Sequence, residues 1–159
     1  MALFTLLHVL ISLVGIFSGF VAVAGMIGNR PLPSWTWVFL LTTAATSVTG
    51  FLFPVHHFMP SHGVGILSLL VLAVAIPARY TFKLSGGWRR TYAVTAVIAL
   101  YFNVFVLVVQ SFLKIPALHA LAPNGNEPPF AAAQGAVLVL FIALGVAAAR
   151  RFKGSPGQA

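Results

Sequence analysis

Histidines are the residues of this chain best suited to chemistry, and three of the five lie in the short segment 54–63. They are His56, His57 and His62. Proline lacks a backbone N–H and crowds the preceding turn, so Pro54 and Pro60 predict a helix break on either side. Imidazole is the commonest nitrogen ligand for zinc, copper and haem iron. The segment is therefore predicted to be a short connection between helices that carries candidate metal or haem ligands.

The other two histidines are expected close to that segment. His8 lies roughly 9 Å inside the first apolar run at a rise of 1.5 Å per residue. An ionisable side chain at such a depth in a membrane needs a partner and marks a functional candidate. His119 follows the end of the fourth apolar run. Because antiparallel neighbours bring these helix ends together, the histidines are predicted to gather on one face of the membrane.

Two kinds of cofactor fit such an arrangement. A haem b between opposed imidazoles would use His8 with His57 or His62, whereas a copper, zinc or iron site would add His119. A single layer of histidines at one end of a bundle resembles small membrane cytochromes b, but the second layer of haem ligands in that family has no counterpart here. The alternative is that each histidine is a solvated or hydrogen-bonded residue at the membrane interface. The adjacent His56 and His57 would also point in different directions, which disfavours their binding one metal together.

The elements that position these residues are membrane helices. Of the 159 residues, 60% are hydrophobic and 6% are charged, whereas soluble domains are about 25% charged, and the mean hydropathy is +1.01. Apolar runs close to the roughly 20 residues of a membrane span occur at 3–27, 35–53, 64–80, 91–112 and 130–149. The prediction is an all-α integral membrane protein with one five-helix domain over residues 1–153 and a disordered tail at 154–159. The lack of cysteine excludes disulfides, thiolate metal sites and iron–sulfur clusters.

The basic residues predict the orientation, because lysine and arginine concentrate in the cytoplasmic loops of membrane proteins. The formal net charge is +8. With the N-terminus outside, every lysine and arginine except Lys114 falls on the cytoplasmic side, while Lys114 and the single acid, Glu127, lie outside. We therefore expect an outer N-terminus, a cytoplasmic C-terminus and a location in the cell inner membrane. The partner of the cations is expected to be the lipid bilayer and its anionic headgroups, not nucleic acid.

Small and polar residues inside the runs predict how the helices pack. Gly15 and Gly19 are four residues apart and should let another helix approach closely. Asn103 and Gln110 are seven residues apart and share one face of the fourth helix. Asn103 is expected either to form an interhelical hydrogen bond, for instance to the threonine-rich second helix, or to line a polar cavity that runs outward past Gln110. Glu127 could add a carboxylate ligand or an acceptor for an imidazole N–H.

Other chemistry is poorly supplied by this sequence. It offers no acid pair for hydrolysis, no glycine-rich phosphate loop and no Ser–His–Asp set, so no residue is assigned as catalytic and enzyme activity is left open. The leading hypothesis is a multi-pass membrane protein with a histidine-lined metal or haem b site at its outer, periplasmic face. That site would act in membrane electron transfer, quinol chemistry or metal handling. The alternative is a non-catalytic structural or assembly subunit that packs its small-residue faces against partner subunits or a second copy.

Overall fold

The computed structural model describes residues 2–30, 32–54 and 57–154, and every regular element in these ranges is helical. The helices are α1 (Ala2–Ile27), α2 (Pro33–Gly50), α3 (Pro60–Tyr80), α4 (Trp88–Lys114), α5 (Pro116–Leu121) and α6 (Pro128–Arg151). The all-α prediction is confirmed, and each predicted span coincides with one long helix. His56 and residues 155–159 of the predicted disordered tail lie outside the described residues.

Prolines mark the start of four helices, and a residue with a left-handed backbone conformation marks the end of α1. Helices α2, α3, α5 and α6 each begin with proline, whose fixed φ and missing N–H suit the first helical turn. Because α3 begins at Pro60, about one turn earlier than its apolar run predicts, His62 belongs to a helix. Helix α1 ends where Asn29 adopts a φ of 49°. There the Arg30 N–H donates to the Gly25 carbonyl at 2.8 Å and closes the last turn.

The helices of the described chain suit a membrane. Four of them, α1, α3, α4 and α6, are long and apolar enough to cross one. Helix α2 has a length of about 27 Å at 1.5 Å per residue, but its many threonines and serines lower its hydropathy. It packs mainly against α1 and α3. The described helices therefore form a bundle compatible with a multi-pass membrane protein, and α2 is the long helix that is not among the four apolar enough to cross a membrane.

Helix α4 lies at the centre of the bundle and contacts α1, α2, α3 and α6. The close approach predicted at the glycine pair is present, since a Cβ on Gly19 would lie 2.5 Å from Leu100 Cδ1 and 2.9 Å from the Phe39 ring. Helix α1 therefore packs directly on α2 and α4. Asn103 Nδ2 donates to Thr43 Oγ1 at 3.1 Å, which confirms the predicted interhelical hydrogen bond to the second helix.

The two ends of the bundle differ in side-chain chemistry. The histidine end, formed by the N-terminal ends of α1, α3 and α6 and the C-terminal ends of α2 and α4, carries the described histidines. The opposite end, the basic end, carries every described lysine and arginine except Lys114. At the basic end, Arg89 Nη1 donates to the Lys153 carbonyl at 2.7 Å, and the Lys153 N–H donates to Asn29 Oδ1 at 3.0 Å. These bonds join the segment after α6 to α4 and to the end of α1.

Candidate functional site

A cavity of about 570 Å³ lies between α1, α2, α3 and α4 at the histidine end. Its wall is formed by the N-terminal halves of α1 and α3, the C-terminal halves of α2 and α4, and the segment 51–54 that follows α2. Most of the lining is apolar. Pockets for small molecules measure roughly 300–1,000 Å³ and combine an apolar wall with a few placed polar groups. The size and lining of this cavity are therefore those of a small-molecule site.

His8 lies on the α1 wall of the cavity, with its Nδ1 2.7 Å from the Thr49 hydroxyl. The Thr49 hydroxyl also lies 2.7 Å from the Ala45 carbonyl, the usual acceptor for a threonine within a helix. With its single hydrogen donated to that carbonyl, the Thr49 oxygen would accept the N–H of His8 Nδ1. A neutral imidazole carries one ring proton, so the Nε2 lone pair of His8 is open, and no group within the described ranges binds it. Phe53 packs edge-on against the imidazole, with 5.1 Å between ring centroids.

His62 lines the same cavity from the first turn of α3, with the opposite proton arrangement. The Met59 N–H donates to His62 Nδ1 at 2.9 Å, so the neutral ring carries its proton on Nε2. The bond also satisfies a backbone donor at the start of α3, as a capping residue does. The buried ring stacks on Phe51 at 5.7 Å and contacts Phe58 at 5.5 Å. In this arrangement Nε2 of His62 carries the ring hydrogen and has no lone pair for a metal.

Two hydroxyls on the cavity wall, Thr46 Oγ1 and Ser68 Oγ, have no hydrogen-bond partner within the described protein. Ser68 is only 2% exposed. Hydroxyls in membrane helices commonly donate to a carbonyl one turn earlier, as Ser12 and Ser47 on the same wall do. An unsatisfied buried hydroxyl costs about 1–3 kcal/mol. Both oxygens are covered by the protein, so a polar group inside the cavity would supply the missing partners only after the two side chains rotate toward it.

Helix α4 contributes two amides and one cation to the cavity wall. Asn103 and Gln110 both lie on it, so the amide that bonds to Thr43 also faces the cavity. Lys114, in the last turn of α4, is the only Lys, Arg, Asp or Glu on the wall among the described residues. The groups deeper in the cavity are therefore neutral, and a positive charge lies near the end of α4.

The remaining candidate ligands lie away from the cavity. His57, in the loop before α3, and His119, on α5, are exposed and do not line it. Glu127 precedes α6, where its carboxylate accepts hydrogen bonds from Asn124 and from the Asn126 N–H. Desolvation alone would raise the pKa of Glu127, but these hydrogen bonds outweigh it and hold that pKa below its ordinary value. Over residues 2–30, 32–54 and 57–154, no three His, Cys, Asp or Glu side chains lie close enough together to hold a metal ion.

Sequence reasoning missed the contribution of α3 to the cavity. Ser61, Gly65 and Ser68 follow one another at spacings of four and three, so they share one helix face and all three line the cavity. This small, polar stripe in an otherwise apolar run was the available signal. The lack of a partner for Ser68 depends on the rotamer of its side chain and has no counterpart in the sequence.

No protein-family model, curated protein or solved structure matches the chain. A function must therefore be inferred from the geometry and chemistry of the cavity, since a helical bundle alone does not imply one.

Proposed function

We propose that this membrane protein takes a lipophilic small molecule with a polar head from the bilayer into the cavity at its histidine end. The observation that supports this function is a mostly apolar cavity whose wall includes Thr46 and Ser68, two residues with buried hydroxyls that have no partner among the described residues. Each buried hydroxyl without a partner lowers the stability of the fold by about 1–3 kcal/mol. If these residues served packing alone, we would expect each hydroxyl to donate to a carbonyl of its own helix. Rotation of these two side chains would bring their hydroxyls to the polar head, and the apolar wall would receive the rest of the molecule.

Photoaffinity labelling tests this function. Purified protein in lipid nanodiscs is irradiated with a hexadecanol that carries a diazirine near its hydroxyl, and the labelled peptides are mapped by mass spectrometry. Gly50→Leu should remove most cavity labelling, because a Cβ at Gly50 would lie 3.8 Å from His8 Cε1 and a longer side chain would fill the space. Gly135→Leu is the matched control, since a Cβ there meets open space on α6. Labelling that Gly50→Leu leaves unchanged, or that spreads evenly over α6, would contradict the proposal.

A pair of serine variants separates ligand contact from helix packing. Ser68→Ala should reduce cavity labelling about three- to tenfold, the loss expected for one neutral hydrogen bond. It should not lower the free energy of unfolding of the ligand-free protein, because no bond within the protein is lost. Ser18→Ala is the control, since Ser18 is equally buried but donates to the Val14 carbonyl at 2.6 Å. Equal labelling of the two variants would argue against a ligand at Ser68.

The proposal includes five spans, with α2 among them, and a histidine end that faces outward from the cell inner membrane. The concentration of lysine and arginine at the basic end supports this orientation. Because the chain has no cysteine, Ser34→Cys in the first turn of α2 and His57→Cys after its end place single labels at the two ends of this helix. In right-side-out vesicles, a membrane-impermeant maleimide should label only the cysteine at position 57 until the membrane is permeabilised. Labelling of both would show that α2 does not span, and the reverse pattern would overturn the orientation.

A haem b or a transition metal, with a role in electron transfer or metal handling, is a second candidate. The hydrogen bond from His8 Nδ1 to Thr49 favours it, because ligating histidines commonly donate their other N–H to an oxygen. The described residues do not fit a two-histidine haem or a three-ligand metal site, since His62 Nε2 is a donor and the exposed histidines lie elsewhere. An absorption spectrum and elemental analysis test this candidate. This candidate is supported if the Soret band or the bound metal is lost in His8→Ala and kept in His57→Ala. It is contradicted if both variants keep the band or the metal.

A non-catalytic role as a subunit of a larger complex, or as a homo-oligomer, is the other candidate. Helix α6 favours it, because most of its side chains face away from the bundle, although lipid would cover that face equally well. Purification in mild detergent tests this role. A stoichiometric partner together with an unlabelled cavity would favour the subunit role over ligand binding.

A further inference from the structure

We infer that the polar head of the bound molecule is a dihydroxyarene of the hydroquinone class, held between His8 and His62 and bound more tightly than the corresponding quinone. This inference rests on the ligand-binding function proposed above and names the chemical class of its ligand.

The two imidazoles on the cavity wall carry their protons in opposite senses. Thr49 accepts the Nδ1 hydrogen of His8, so His8 offers a lone pair at Nε2. The Met59 N–H occupies Nδ1 of His62, so His62 offers the Nε2 hydrogen. A head that satisfies both rings must donate to His8 and accept from His62. A hydroxyl does both, whereas a carbonyl, an ether or a carboxylate only accepts.

A second oxygen on the same head would extend toward Ser68 and Thr46, whose covered hydroxyls would turn to it by rotation of their side chains. Ser68 lies roughly 9 Å along α3 from His62 at 1.5 Å per residue, and Thr46 lies one turn inside Gly50 on α2. Both hydroxyls are buried and have no partner among the described residues. A rigid ring with hydroxyls at opposite positions, hydrogen-bonded at each end, spans such a separation. An alcohol with one oxygen would leave either the two imidazoles or the two hydroxyls without a partner.

Aromatic side chains beside both imidazoles favour a flat, aromatic head. Phe53 contacts His8 edge-on, Phe51 stacks on His62, and both phenyl rings line the cavity. Aromatic rings pack on one another in offset or edge-to-face arrangements. A dihydroxyarene therefore matches the wall in its ring as well as in its hydroxyls.

Oxidation of the head would remove the proton that His8 accepts. A quinone carries carbonyl oxygens in place of both hydroxyls, so its lone pairs would face the open Nε2 lone pair of His8. The loss of one neutral hydrogen bond weakens binding about three- to tenfold. The cavity should therefore discriminate between the two redox forms by this factor without any electron transfer.

Competition against the photoreactive hexadecanol tests the inference on the wild-type protein in nanodiscs. The competitors are 2-decyl-1,4-benzoquinol, kept reduced under argon, 2-decyl-1,4-benzoquinone and 2-decyl-1,4-dimethoxybenzene. The quinol should halve cavity labelling at a concentration about three- to tenfold lower than the quinone requires. The dimethyl ether should resemble the quinone, because it has the same tail and ring but no hydroxyl hydrogen.

Variants of Thr49 test its role as the positioning residue for His8. Thr49→Val removes the acceptor of the Nδ1 hydrogen, so the preference for quinol over quinone should fall to about one. Thr49→Ser keeps the hydroxyl and should keep the preference. His57→Ala, in the exposed loop, should change neither affinity.

The outcomes separate this inference from the function on which it rests. Equal competition by all three compounds, or none by any of them while the hexadecanol still labels the cavity, would overturn the quinol inference and leave the ligand-binding function standing. A full preference in Thr49→Val would likewise overturn it. Absence of cavity labelling by the hexadecanol itself would remove the function.

Discussion

Replacing Gly19 by alanine tests whether the close packing of α1 holds the cavity wall in place. A Cβ at this position would lie 2.5 Å from Leu100 Cδ1 and 2.9 Å from two atoms of the Phe39 ring. Carbon atoms pack best at about 3.5–4.0 Å. Both neighbours are 0% exposed, so a shift of either side chain would press it against other buried atoms. The strain would fall on the position of α1, which also sets the 2.7 Å approach of His8 to Thr49.

The magnitude follows from comparison with Gly135→Ala. Overpacking a well-packed interior costs about 1–3 kcal/mol, whereas replacing glycine by alanine inside a helix gains about 1 kcal/mol. Gly135 lies within α6 and an added Cβ meets no atom within 4 Å, so only the helix gain applies there. The free energy of unfolding of Gly19→Ala should therefore be about 1–3 kcal/mol below that of Gly135→Ala.

Reversible unfolding by dodecyl sulfate in mixed micelles, followed by far-ultraviolet circular dichroism, measures this difference. Photoaffinity labelling of the same samples shows whether the shift of α1 reaches the cavity, in which case Gly19→Ala loses labelling and Gly135→Ala does not. Free energies of unfolding that agree within about 0.5 kcal/mol, the spread of ordinary surface substitutions, would refute the close packing described for α1.

Three further results are expected. A double-mutant cycle of Asn103→Ala and Thr43→Ala, measured by the same unfolding titration, should give a coupling of about 0.6 kcal/mol and at most about 1.7 kcal/mol; zero coupling would contradict the hydrogen bond. The pKa of Glu127 is held below 4.5, so its hydrogen bonds stabilise the fold above that pH and are lost as the pH falls through the lowered value. Stability should therefore decrease on acidification, and Glu127→Gln should flatten this part of the curve. His62→Ala should lower the free energy of unfolding by about 0.5–2 kcal/mol, because a first-turn donor of α3 loses its acceptor, while His57→Ala should leave it unchanged.

The helices of this protein could be predicted from the sequence because their signal is local. The length of an apolar run locates each of the five long helices to within about one turn, and a first-turn proline marks the start of α2, α3 and α6. The short helix α5 was not predicted. The hydropathy of α2 is lower than expected for a membrane span, because hydropathy scales count its hydroxyls as polar. Several of these hydroxyls nevertheless bond within their own helix, as Thr42 does to the Val38 carbonyl at 2.7 Å. Such bonds make a threonine-rich helix more compatible with lipid than its composition indicates.

The cavity could be predicted only in part, because it depends on partners that lie far apart in the chain. The sequence indicated His8 and Asn103 as polar groups inside apolar runs, and both lie on the cavity wall. It also gave His57 the same weight as His62, and only the helix that begins at Pro60 separates their environments. The tautomer of His8 follows from Thr49, 41 residues away, and no local pattern contains that contact.

Helices α1, α2 and α4 pack closely around Gly19, whereas together with α3 they enclose the cavity at the histidine end, where Gly50 leaves the space open. Empty apolar space loses dispersion contacts, so stability alone would favour a larger side chain at a position where an added Cβ meets only His8, at 3.8 Å. Gly50→Leu should therefore raise the free energy of unfolding of the ligand-free protein, or leave it unchanged, while it abolishes cavity labelling. A variant that lost both stability and labelling would show that Gly50 serves helix packing, and the unpartnered hydroxyls of Thr46 and Ser68 would then be the sole support for a ligand.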